Sequence, residues 1–348
     1  MIYSGPHFFV SNPLYKTPRV LCTENSHYDI IDSGINDNGF IARTNYVPSG
    51  DLEIFPKLIK GFKTGEKTES GFDEYDNWTD YYKVGFRKML NQSGERTLIS
   101  AILPPKTSHT NGVVSVTFKE KNHDSLIELT GLCASIVLDF FIKTVGASNL
   151  TDSRITAFPL GISEKYKPYL FSRTLLLNCV NQYYAPLWAE NYRVAFHGDA
   201  WSKKEGRLKD FAELSATWSW STPLRNWYER RQALVEIDVL TAMALGLSSA
   251  ELILIYNVQF PVLQQNEDDT WYDQTGNIVF TCSKGLTGVG LDRPVWEKIR
   301  TLSAGETYEH TIEKSELYRG QKVVYHAPFE KCDRVQDYET AWEWFEQL

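Results

Sequence analysis

The stretch Asn12-Pro13-Leu14-Tyr15 combines residue types that can do chemistry on a base. In an Asn-Pro-Pro-aromatic element, side-chain and backbone oxygens accept hydrogen bonds from a target amine, and the ring stacks on the extruded base. Leu14 stands where the second proline belongs. Only eleven residues precede the element, too few for a strand and a Gly-rich loop to hold a cofactor. A catalytic role is therefore not expected of it, and the spacing suits a proline-bounded loop equally well. The adjoining Lys16 and Arg19 are better read as nucleic-acid contacts.

Other groups of the same kind follow. Arg43-Thr44-Asn45-Tyr46 concentrates side chains able to meet base edges or phosphates, and Arg87, Arg96, Lys106, His109 and Asn111 add to them. Arg suits guanine and Asn suits adenine, each good pair contributing roughly 1–3 kcal/mol of discrimination. Arg225, Arg230 and Arg231 cluster at the start of a long helical pattern, a place better suited to phosphate. A further basic group, Lys203, Lys204, Arg207 and Lys209, lies among Trp201, Trp218 and Trp220. Rings interleaved with cations suit base stacking, and they suit surface packing equally.

Several chemistries lack their residues. No Asp or Glu stands two positions before any Lys, so the strict Asp/Glu-x-Lys element of metal-dependent nucleases is missing. The five cysteines are scattered without a Cys-x-x-Cys pair, which argues against zinc and suits a reducing cytoplasm. No Ser-His-Asp set, metal-ligand set or phosphate loop stands out. The net charge of −8 opposes binding to nucleic acid by charge alone. The charge is uneven, however. Residues 66–80 hold six acids and one Lys, whereas residues 81–121 hold seven basic residues and two acids. A basic face on an acidic protein is compatible with a nucleic-acid groove.

The elements that must position these groups read as α+β: a mixed-sheet domain over 1–165, then a helical and small β region over 166–348 packed on it. Ile2, Tyr3 and Phe8–Val10 suggest strand, and an initial Met followed at once by core-like residues suits a chain preceded by something else. Turn signals punctuate 21–60, among them Pro48-Ser49-Gly50, and 61–78 reads as an exposed loop. Asp80–Leu90 suggests an amphipathic helix with Arg87 and Lys88 outward. Arg96–Leu103 and Val113–Phe118 suggest strands. Ser125–Thr144 suggests a short strand or turn running into a helix, with Asp139 paired, because a lone buried charge is costly. Ile155–Leu160 suggests a short extended piece.

The organising element is Trp227–Leu245, apolar at helical spacing along one face and stopped by Gly246. Ser248 and Glu251 form a capping box for a second helix through Ile255, and Pro261 is expected to end helix beyond it. Thr270–Asp273 leads to a turn and a strand over Asn277–Thr281. The glycine spacing over 284–290 is the reverse of a dinucleotide fingerprint, with Pro294 close behind, and reads as a turn-rich loop. Tyr338–Phe345 reads as an acidic helix held down by its two tryptophans. No run of eighteen apolar residues predicts a membrane helix.

The order GPHFFVSNPLYKTPR, RTNYVP, GERTLISAILPP, RRQALVEIDVLTAMALGL, QFPVL, TWYDQTGNIVFT and KCDRVQDYETAW resembles the C-terminal region of large bacterial SAM-dependent adenine DNA methyltransferases, of type IIG restriction–modification and phage-defence systems. SLIELTGLCASIVLDFFIKT followed by ITAFPL is similar to the signature of their target-recognition domains, with Cys133-Ala134-Ser135 where the family more often has Leu-Asn-Ser. The resemblance implies a DNA-specificity module whose partners are double-stranded DNA and a methyltransferase catalytic domain or subunit. SAM is expected on that domain and no cofactor in this chain. The competing expectation, favoured by the acidic balance, is a scaffold subunit of a defence complex that does not touch DNA.

Overall fold

The computed structural model describes residues 1–24, 26–48, 61–71 and 73–348; the expected turn at Pro48-Ser49-Gly50 lies largely outside them. The fold is mixed α+β, 38% helix and 15% strand, with eleven α-helices among the described residues and several small sheets.

The Trp227–Ala244 helix is its axis. Asn226 caps it: its Oδ1 accepts from Glu229 N at 2.8 Å, while Glu229 Oε1 accepts from the N–H groups of Arg225 and Asn226. The helix ends as expected at Gly246, whose φ of 77° suits a residue without Cβ. One buried face was expected, but fourteen of its eighteen residues are buried. Helices His123–Ala134, Lys167–Asn178, Ser249–Gln259 and Arg334–Glu346 pack around it. Its charges therefore need internal partners. Glu236 takes Arg173 at 2.5 Å, and Asp238 takes Arg334 at 2.8 Å. Pro261 does not end helix. It starts a new one, Pro261–Asp268, at a first-turn position where its missing N–H costs nothing.

The expected helix over Asp80–Leu90 is instead a strand, Lys83–Arg87, at the centre of an antiparallel sheet between Ser100–Leu103 and Val113–Val116. Val84 and Phe86 are fully buried, and Gly85 faces Ala101 and Ser115. A Cβ at Gly85 would lie 2.6 Å from Leu103 Cδ1, so the glycine is a close-approach residue. The stretch 61–78 also departs from the loop reading, since Phe62–Lys67 and Asp73–Asp76 pair as a hairpin.

The apolar stretch from Ser125 is helical throughout. His123–Ala134 and Ile136–Val145 meet at Ser135 with a 71° bend. Asp139 is paired as expected. Residues 152–155 form a helical turn in place of the start of an extended piece. The C-terminal helix, Arg334–Glu346, is held down by Tyr338, Ala341 and Phe345; of the two expected anchors, Trp342 packs partly buried on the same cluster and Trp344 is exposed. Among the described residues, no single helix is long and apolar enough to cross a membrane.

One apolar cluster runs from Tyr3 to Ile237, with Leu126, Leu129 and Leu132 of one helix and Leu170, Phe171 and Leu175 of another in it. A second cluster joins Ile136 and Val137 to Val239, Leu252, Tyr256, Tyr338 and Phe345, and a third lies around Val279, Trp296, Tyr325 and Phe329.

Candidate nucleic-acid interface

The N-terminal strand, Ile2–Tyr3, gathers two loops. It pairs in parallel with Ser108–His109, and Thr110 N donates to Tyr3 O at 2.9 Å. On its other side Thr44 Oγ1 donates to Ile2 O at 2.8 Å. Two further bonds fix the 43–46 segment. Arg43 N donates to Thr17 Oγ1 at 2.9 Å, and buried His7 Nε2 lies 2.8 Å from Arg43 O. Ser4 N donates to His7 Nδ1 at 2.8 Å, so Nδ1 is the acceptor and Nε2 carries the proton. Burial lowers the His7 pKa, which keeps that neutral tautomer at physiological pH.

This scaffold brings together eight of the expected contacts. Lys16 lies on the Lys16–Pro18 strand, half-buried, its Nζ 5.0 Å from the Tyr15 ring centre. Burial, reinforced by the charge of Arg87, holds its pKa down at about 8. Arg19 reaches Asp29 at 2.9 Å and Lys314 O at 2.8 Å. Arg43 is half exposed and pairs with Glu316 at 2.9 Å. Asn45 is exposed beside Tyr28. Arg87 donates to Phe8 O and covers the Phe8 and Phe9 rings; burial brings it down to about 10. Lys106 is exposed with φ 58°. His109 is half-buried between Thr110 O and Ser115 Oγ, and burial lowers its pKa. Asn111 is exposed and accepts from Lys88 Nζ at 2.9 Å.

The other four expected contacts are structural. Arg96 is buried. It pairs with Asp139 at 2.6 Å and donates to Ala134 O at 2.7 Å, and Asp139 also accepts from Thr97 N and Leu98 N. Arg230 donates to the carbonyls of Leu224, Ser11 and Leu177, tying the central helix to the N-terminal segment. Arg231 is held by Glu267 and Asp337. Arg225 donates to the carbonyls of Trp220, Ser33 and Val180. Arg96, Arg230 and Arg231 cannot turn toward a phosphate without breaking these bonds and opening the core, while half-buried Arg225 keeps its Nη2 without a partner among the described residues. A cluster of arginines at a helix start reads as surface in sequence; here the helix is enclosed.

The second basic cluster is also tied into the fold, apart from exposed Lys204. Lys203 pairs with Asp337, and Arg207 with Glu205 and Glu330. The indoles of Trp201, Trp218 and Trp220 donate to Lys209 O, Cys179 O and Asn36 O, so all three have work in the fold.

Sequence reasoning also missed two features. Lys83 is fully buried in the central strand, bound to the carbonyls of Tyr81 and Pro104 with its Nζ 4.7 Å from the Trp78 ring centre; burial brings it down to about 7. A cleft lies between the N-terminal segment and the central helix, with Glu95 in its wall. Nothing in the spacing of Phe9, Glu95, Trp227 and Asn266 announces that they meet. The strand-like alternation around Val84 and Phe86 was the available signal for Lys83.

No family model, curated protein or solved structure matches this chain.

Proposed function

We propose that this chain is the DNA-recognition part of an adenine-N6 DNA methyltransferase of restriction–modification or phage-defence type, with SAM and catalysis supplied by a domain or partner outside it. The observation that carries the reading is the convergence on the Ile2–Tyr3 strand of Lys16, Arg43, Asn45, Lys106, His109 and Asn111, from three separate stretches of chain. Lys16, Lys88 and Lys106 have no carboxylate within ion-pair distance among the described residues, and supply the positive charge. Asn45 and Asn111 supply neutral donors and acceptors suited to base edges, and His109, both ring nitrogens bonded to Thr110 O and Ser115 Oγ, braces the loop that carries Asn111. Arg19 and Arg43 are held by Asp29 and Glu316, so they set loop geometry, and Arg43 exchanges carboxylate for phosphate only when DNA displaces Glu316.

Fluorescence anisotropy of a labelled duplex tests the reading. Binding at low salt that weakens steeply as salt rises is expected. Absence of binding, alone and with the catalytic partner, refutes it and favours the scaffold reading, which the net charge of −8 supports. A methylation assay on the isolated chain is expected to be blank.

A further inference from the structure

A cleft of about 140 Å³ opens beside the basic loops. Its walls include Phe9 and Tyr15 from the N-terminal segment, Glu95 from the turn before Arg96, Trp227 and Arg230 from the central helix, and Asn266. The volume is close to that of an engineered cavity of about 150 Å³ that admits benzene, so it suits one ring. Phe9 and Trp227 are half-buried and leave ring surface uncovered. Phe9 is fixed by stacking on Tyr15, with centres 5.0 Å apart. Aromatic walls favour a planar occupant.

The polar groups define that occupant further. Glu95 Oε2 accepts from Asn266 Nδ2 at 2.6 Å and from Ser283 Oγ at 3.3 Å. Its Oε1 has no hydrogen-bond partner among the described residues, so the cleft wall holds an open acceptor. Burial raises the Glu95 pKa against the hydrogen bonds and the charge of Arg96, and a donor arriving at Oε1 relieves that cost. Arg230 lies in the same wall and is bound only to carbonyls, with no carboxylate in ion-pair range among the described residues. With those donors taken, its charge, offset in part by Glu229, acts on the cleft through its field and favours an occupant's lone-pair edge.

We propose that this cleft binds one nucleobase-like ring bearing an exocyclic amine, the amine donating to Glu95 Oε1 and the adjacent lone-pair edge facing Arg230. A carboxylate accepting from a base amine is a known pairing geometry. The ring can come from a free nucleoside or from an unpaired base in DNA. The second source is within reach, because Lys16 lies against the Tyr15 ring and Arg87 lies 5.5 Å from the Phe9 ring centre. The cleft stands on its own geometry and does not depend on duplex recognition.

Equilibrium dialysis of the full chain against cytidine, adenosine and uridine tests it. Cytidine and adenosine are expected to bind at least about tenfold more tightly than uridine, one good pair's discrimination. Glu95→Gln removes that preference, because the amide can turn a donor into the cleft, and Phe9→Ala weakens all three. Thermal melts establish that both variants fold. Equal binding of the three nucleosides, no binding to the wild-type chain, or a preference that survives Glu95→Gln overturns the proposal. In a second arm, a duplex with one unpaired cytosine is compared with a fully paired one. Extra affinity that Glu95→Gln abolishes assigns the ring to DNA, and nucleoside preference without extra affinity assigns it to a free ligand. The fully paired duplex reads the DNA-recognition role separately.

Discussion

Lys106 occupies the left-handed region at φ 58°, where a side chain costs about 1–2 kcal/mol, and its N–H donates to Thr79 O at 2.6 Å. An exposed lysine held there is poor for stability and well placed for contact. Lys106→Gly separates the two: thermal stability is expected to hold or rise by up to about 1 kcal/mol, since glycine relieves the strain but gives back unfolded-state entropy, while duplex affinity falls. A fall in both, seen in a melt and an anisotropy titration, contradicts the assignment. Lys16 makes a second prediction. Its pKa near 8 means that the folded chain loses this charge as pH rises through 8, well below the ordinary lysine value of 10.5. A phosphate contact needs the charged form, so affinity for duplex declines between pH 7 and 9. Lys16→Arg removes that step because guanidinium stays charged, and a wild-type affinity flat over this range excludes Lys16 as a contact.

At the scale of elements, the central helix and the one after it were the legible part. Gly246 as a stop, Ser248 with Glu251 as a cap, and the Trp227 start all follow from local backbone chemistry, which sequence carries. What sequence did not carry is enclosure. The same arginines that read as a helix-mouth phosphate site, Arg230 and Arg231, are interior because other helices surround them. Lys83–Arg87 was misread for a related reason. Its charges suggested a helix with an outward face, but Val84, Phe86 and the close approach at Gly85 are strand features set by partners far along the chain. Lys16, Arg43, Asn45, Lys106, His109 and Asn111 come from three stretches that backbone and Thr hydrogen bonds tie to one another and to Ile2–Tyr3, a meeting that their spacing does not show. Helix contact makes its own prediction. A Cβ at Gly131 would lie 2.5 Å from Thr174 Oγ1 and 2.9 Å from Leu170 Cδ1, on the neighbouring helix. Gly131→Ala is expected to destabilise by roughly 1–3 kcal/mol through overpacking, measured by denaturant titration. A neutral result means that the two helices are not this close.

At the scale of the whole molecule, buried ion pairs join distant segments. Glu267 stands between Arg231 and Arg334, tying the Pro261–Asp268 helix to the central and C-terminal helices. Burial alone would raise its pKa, but the two guanidinium groups hold it down at about 2. The unfolded chain therefore binds this proton at higher pH than the folded one. The stabilisation is present above the ordinary glutamate pKa of 4.5 and is lost as pH falls toward 2. Glu267→Gln leaves two buried cations short of a partner, with an expected cost of roughly 3–5 kcal/mol at pH 7 and a flatter acid limb in pH-dependent melts. A variant as stable as the parent at neutral pH contradicts the account of this centre.

The basic loops carry the central claim, and the salt dependence of duplex binding measures it most directly. Each phosphate contact contributes a slope of about −0.9 in log K against log salt. Replacing Lys16, Lys88 and Lys106 together by glutamine is expected to make that slope shallower by up to about 2.7, with the melting temperature held. An unchanged slope in the folded triple variant contradicts the placement of DNA on the Ile2–Tyr3 face.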